Sequence, residues 1–249
     1  MTTASTASSG FGRRPVARSP RAAVRARARS ALSSLGHRRA VPGWAIASSA
    51  LSPVLLVGAW AIADGLQPAT YSPMRQTMSV LAGHAATDRW LVTGIVFLVS
   101  VGQLVTALGL TGVRTSARVV LTVTGVSGIG IAASPEPVHG TTPQHLAWTV
   151  VGAVALAIWP AFVARRRPAR PRSLVLSVHG SATATAVFVA LLGWAFIEAH
   201  GGSSLGLAER VTAGVQMSWP FFVVLALRRS QPLPEQPIGS ELRRTAVHS

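Results

Sequence analysis

Six long apolar runs, separated by arginines that collect on alternate sides, constrain this chain more than any other feature. The runs are Trp44–Ala63, Trp90–Val113, Val119–Ser134, Leu146–Ala164, Leu174–Ile197 and Val211–Leu227. Each holds few or no charges and approaches the roughly 20 residues that cross a ~30 Å hydrocarbon core. The third and sixth are at the short end. Only 12% of the 249 residues are charged, about half the share typical of a soluble domain. The expected fold is an all-α membrane bundle of six transmembrane helices, arranged as three hairpins.

The net charge of +16 could suggest a nucleic-acid partner, but the arginine distribution argues otherwise. Of 23 arginines, 20 fall before the first run, between the second and third, between the fourth and fifth, or after the sixth. Only Arg75, Arg89 and Arg210 lie on the other side. This alternation is the positive-inside pattern, with both termini cytoplasmic and a multi-pass location in the cell membrane. The expected partners are therefore the lipid bilayer and not nucleic acid. Residues 1–42, rich in Ser, Ala, Pro and Arg, read as a disordered basic tail. Residues 43–229 form the transmembrane domain, and 230–249 a second disordered tail. All the basic side chains being arginine fits a high-GC bacterial genome. With no cysteine, disulfides, thiolate metal sites and cysteine nucleophiles are excluded.

The outer loops hold most of the chain's histidines and acids. In the first, "YSPMRQTMSVLAGH", Ser72 stands at an N-cap position and Pro73 at the first helical position. Met74, Met78 and Leu81 then share one face, predicting a short amphipathic helix lying in the outer interface. In the second, "SPEPVHGTTPQH", Thr142 can cap the fourth span with Pro143 at its first position and His145 in its first turn. The third, "EAHGGSSLGLAER", is Gly/Ser-rich. The third span, with Thr122, Thr124, Gly125, Ser127, Gly128 and Gly130, is small-surfaced all round, as a central packed helix would be. The ends of spans one and five echo each other, "AWAIAD" against "GWAFIEAH". That fits an old duplication, or the shared physics of Trp and acids at an interface.

Six spans carrying "YSPMRQTMSVLAGHAATDRW", then "SPEPVHGTTPQHLAW", then "GLAER" resemble the domain-of-unknown-function 998 family of bacterial integral membrane proteins. The likeness covers roughly Trp44 to Arg229. It implies a six-helix membrane protein and carries over no catalytic residues.

If the outer loops meet, they bring together Arg75, His84, Asp88, Arg89, Glu136, His139, His145, Glu209 and Arg210 as ligand-binding candidates, with Glu198 and His200 beside them. One chemistry open to this set is a divalent metal such as zinc on His84, His139 and His145, with Glu136 or Asp88 as a fourth ligand. That would suit a membrane-embedded metal-dependent hydrolase. The spacing His139-x5-His145 matches no standard zinc pattern and HExxH is absent. The plainer alternative has His145 bonded to a neighbouring helix and His139 in water. A second chemistry is a lipid headgroup or small polar ligand, its phosphate gripped by Arg75, Arg89 and Arg210. The competing reading pairs those arginines internally, Arg89 with Glu209 and Arg210 with Asp88. A third class is an accessory partner of another membrane protein. Within the spans only Gln103, Gln216 and His179 stand out, and His179 lies about two turns from the basic end.

Overall fold

The computed structural model describes residues 41–164 and 173–230. The basic tails and the "RRRPARPR" segment lie outside the described residues, apart from positions 41, 42 and 230. Six long helices form the bundle: α1 (Gly43–Leu66), α3 (Arg89–Gly109), α4 (Thr115–Ala133), α5 (Pro143–Val163), α6 (Val178–Ala199) and α7 (Leu205–Arg229). A four-residue helix α2 (Met78–Leu81) sits between α1 and α3, and a 3-10 turn (Leu174–Leu176) precedes α6. All six long helices are apolar and long enough to span a membrane, so this is a multi-pass integral membrane protein.

Each span packs against its neighbours in the chain, and α7 closes the ring by returning to α1. One end of the bundle carries the long connections 67–88 and 134–142 and the shorter 200–204. The other end is arginine-rich. A buried cluster at the arginine-rich end joins Ala45, Leu110, Leu121, Trp159, Val223 and Leu227. Trp159 is fully buried and its indole Nε1 donates to the Ala117 carbonyl at 2.7 Å, tying α5 to the first turn of α4. Arg118 reaches back to the end of α3, its Nε donating to the Ala107 carbonyl at 2.9 Å. Carbonyls at a helix C-terminus lack in-helix partners, so a cation there is doubly favourable.

In lipid, apolar side chains gain little from leaving one another for hydrocarbon, so close backbone approach matters more. A Cβ at Gly109 would overlap Ala45 of α1, and one at Gly128 would overlap the Ser100 hydroxyl of α3. Across the α1–α3 contact, the Ser48 and Thr106 hydroxyls pair at 2.8 Å.

The third span, α4, is not the central helix its small residues suggested. Of its most apolar stretch 28% is buried, against 44% for α7. The small residues serve two flanking contacts, α3 on one side and α5 on the other, while Val119 and Val126 face outward. The helix with most neighbours is α7, which touches α1, α2, α5 and α6.

Candidate functional site

The first long connection departs from the helix expected to start at Ser72. Residues 73–76 form a turn, and the α-helix begins only at Met78. A helix from Pro73 onward would need the carbonyls of Pro73, Met74 and Gln76 as internal acceptors. The start of α7 takes all three. Arg210 Nη1 donates to Pro73 O at 2.8 Å and to Gln76 O at 3.0 Å, and the Leu207 backbone N–H donates to Met74 O at 3.1 Å. The Met78 N–H, which would have met Met74 O, instead donates to Glu209 Oε2 at 2.7 Å. Gly206 lets the two segments touch, since a Cβ there would overlap the Pro73 and Gln76 carbonyl oxygens. The short helix is also no flat interfacial rod. Leu81 is fully buried with Ala63 and Val92, whereas Met74 is exposed.

Arg210 is the centre of this junction. Its side chain is 10% exposed, and Nη2 pairs with Asp64 Oδ1 at 2.8 Å. Nη2 also donates to the Tyr71 hydroxyl, which donates in turn to Asp64 Oδ1 at 2.8 Å. The third Nη1 acceptor is Gly206 O at 3.0 Å. A guanidinium can serve this many acceptors because its donors form a fixed planar fork. Arg210 is therefore paired internally, as one reading of the arginines expected, though with Asp64 at the end of α1 and not with Asp88. Arg89 does not pair with Glu209 either; its guanidinium lies 4.3 Å over the Trp90 ring. Asp88 is exposed, with the left-handed φ of 51° that Asp tolerates at a helix start. Arg75 and His139 are exposed.

Burial of the Tyr71 phenol, with its hydrogen bond to Asp64, raises its pKa above the usual value near 10. A raised pKa means the folded state holds the proton more tightly than the unfolded chain. Its contribution to stability is complete below about pH 10 and is lost as pH rises beyond that. Thermal unfolding of the detergent-extracted protein should show a steeper alkaline loss above that pH than a Tyr71→Phe variant does. Identical alkaline profiles would contradict the assignment.

The second long connection docks on the first. His84 donates to the Glu136 carbonyl twice, from its backbone N–H and from Nδ1, each at 2.9 Å. Thr142 caps α5 as its position foretold, accepting from the His145 N–H at 3.1 Å with Pro143 following. His145 is 2% exposed. Its Nδ1 faces the Ser134 carbonyl at 2.6 Å, and a carbonyl can only accept, so Nδ1 carries a proton. Nε2 faces Ser79 Oγ at 2.9 Å and Glu136 Oε1 at 3.8 Å.

These contacts leave the zinc set unassembled. Among the described residues no three His, Asp or Glu side chains converge as metal ligands. His145 has both ring nitrogens engaged, His84 turns its Nδ1 to a carbonyl, and His139 stands in the open. His179 is exposed in the first turn of α6.

Besides the exposed Asp88, two less exposed carboxylates have acceptor capacity to spare. The Glu136 side chain is 13% exposed and accepts no hydrogen bond from the described residues. Glu209 engages one oxygen with Met78 N–H and lies within the electrostatic reach of Glu136. Both border α2, whose Met78 and Ser79 contact Glu209 and His145 respectively. Sequence reasoning put Asp64 at this end without making it a site residue, and missed Tyr71 and Ser79. One signal was present: Tyr71 is the chain's single tyrosine, set seven residues after an acid at a span's end.

A family model described as "Protein of unknown function (DUF998)" matches residues 50–226. No curated protein and no solved structure matches the chain.

Proposed function

The chain belongs to the DUF998 family, and for it we propose a membrane protein that binds a lipid headgroup or small polar ligand at its long-loop end. The group received is a hydrogen-bond donor, an ammonium or a hydroxyl, taken up by Glu136 and Glu209 beside His145. The observation that supports this reading is the Glu136 carboxylate, 13% exposed, whose ion-pair neighbour is the His145 imidazole at 3.8 Å, beyond hydrogen-bond length. A charge-assisted hydrogen bond to such a partly shielded carboxylate is roughly twice as strong as a neutral one. Arg210 cannot lead a phosphate grip, because both its Nη atoms are engaged by Asp64, Tyr71 and three carbonyls. The arginine alternation supports reading this end as the outer one, with both termini cytoplasmic.

Native mass spectrometry of the protein in mild detergent, offered phosphatidylethanolamine or phosphatidylglycerol, tests the proposal. The amine headgroup should be retained preferentially. Glu136→Gln should weaken that retention by about 10–100-fold, the worth of a hydrogen bond to a charged group. Equal retention of both lipids, unchanged in Glu136→Gln, would refute headgroup binding at this site.

A further inference from the structure

A groove of about 230 Å³ opens between α4 and α5. Its lining includes Thr122, Val123, Val126, Ser127, Trp148 and Val151. Ser127 is 1% exposed, and its hydroxyl has no hydrogen-bond partner among the described residues. Thr149 Oγ1 on α5 shares this state, but Thr149 is not among the residues that line the groove. Thr122 and Thr124 donate to the carbonyls of Arg118 and Val120, and Ser134 donates to that of Gly130. An unmet hydroxyl surrounded by hydrocarbon is unfavourable, since no water is at hand to satisfy it.

Depth narrows what could satisfy it. Ser127 lies three residues from the midpoint of α4, about 5 Å along the axis at 1.5 Å per residue. The edge of the hydrocarbon core is about 15 Å from its centre. Ester carbonyls of ordinary lipids sit at that edge, out of reach, and their acyl chains offer no acceptor at the depth of Ser127. A second copy of this chain presenting an apolar helix would leave the hydroxyl just as unmet. The acceptor has to arrive on a molecule that dissolves in the membrane interior.

We propose that this groove binds a membrane-soluble ring compound bearing a carbonyl oxygen, of the quinone class, with Ser127 Oγ donating to that carbonyl. Trp148 supplies a flat wall against which a conjugated ring can stack. The indole is seated close to α4 because Gly130 leaves room for it; a Cβ there would overlap the ring. The valines complete an apolar slot with one polar group fixing orientation, the usual composition of a small-molecule site.

The test is tryptophan fluorescence of the full chain in mild detergent, titrated with menadione. Quenching should saturate, and Trp148→Phe should remove the saturable part. Ser127→Ala should raise the apparent Kd by about 3–10-fold, the cost of one neutral hydrogen bond. 1-Methylnaphthalene, a ring of similar size without carbonyls, should compete at least as poorly as that variant binds. Non-saturable quenching would overturn the proposal. So would an unchanged Kd in Ser127→Ala, or equal competition by the hydrocarbon. A dimer in native mass spectra that Val123→Trp abolishes would assign the groove to a second copy instead, and would equally overturn it.

Discussion

Replacing Arg210 by Met should destabilise the protein by about 3–5 kcal/mol, the cost of removing one partner from a buried ion pair. The pair is well shielded, with the two side chains 10% and 21% exposed. Methionine keeps much of the length of the side chain, so the loss is electrostatic more than steric. Asp64 would keep its charge with only the Tyr71 hydroxyl as donor, and the Pro73, Gln76 and Gly206 carbonyls would lose theirs. The measurement is the thermal midpoint of unfolding in detergent, with Arg210→Lys beside it. Lysine restores the charge but not the planar fork, so it should recover only part of the loss. Full recovery by lysine would show that charge alone matters. A midpoint unchanged in Arg210→Met would remove Arg210 from the centre of this end.

The second large effect is expected at Gly206→Ala. The added Cβ would meet the Pro73 and Gln76 carbonyl oxygens, which are backbone atoms and cannot rotate away. Overpacking of this kind costs about 1–3 kcal/mol, and relief requires the first connection to lift from α7. Lifting it breaks the Leu207–Met74 bond and the Arg210 contacts together. Hydrogen exchange at Met78, whose N–H is held by Glu209, should therefore accelerate in Gly206→Ala while that of α4 stays slow. Uniform acceleration across the bundle would mean the substitution merely unfolds the protein.

What could be read in the sequence divides along a physical line. The six spans were legible because membrane crossing needs long uncharged runs, a local property. The start of α5 was legible for the same reason: Thr142 and Pro143 act within their own turn. The first connection was not. Its Ser72–Pro73 signal points to a helix, yet its carbonyls are drawn off by a guanidinium 137 residues further along. Local propensity lost to tertiary hydrogen bonds that no window of sequence contains. The echo between spans one and five does not extend to the partners of its acids. Asp64 and Glu198 each lie four residues after a tryptophan, but Asp64 receives Arg210, while Glu198 accepts from Trp194 and the Ser204 N–H. The composition of α4 was readable, but not the number of helices around it. Small residues permit close contact without saying on how many sides it occurs.

For the candidate site, residue types were legible and partners were not. Glu136, His145, Glu209 and Arg210 were all picked out by their position on the side where acids and histidines collect. Their roles turned on Asp64, Tyr71 and Ser79, which no motif marks. In the proposed reading, the contacts that engage Arg210 leave Glu136 and Glu209 to receive the ligand.

The central claim is that the first connection folds onto the start of α7 and spends Arg210 there. A disulfide trap tests it most directly, because the chain has no cysteine of its own. The Leu207 N–H meets Met74 O at 3.1 Å, which brings the two residues near the roughly 4.4–6.8 Å Cα separation a disulfide needs. The Met74→Cys/Leu207→Cys double variant should cross-link nearly completely under mild oxidation in membranes, read as a loss of two hydrogens in the intact mass. As a reference, Ser48→Cys/Thr106→Cys joins side chains already in contact within the bundle. Ready linkage of the reference pair with none between positions 74 and 207 would contradict the account.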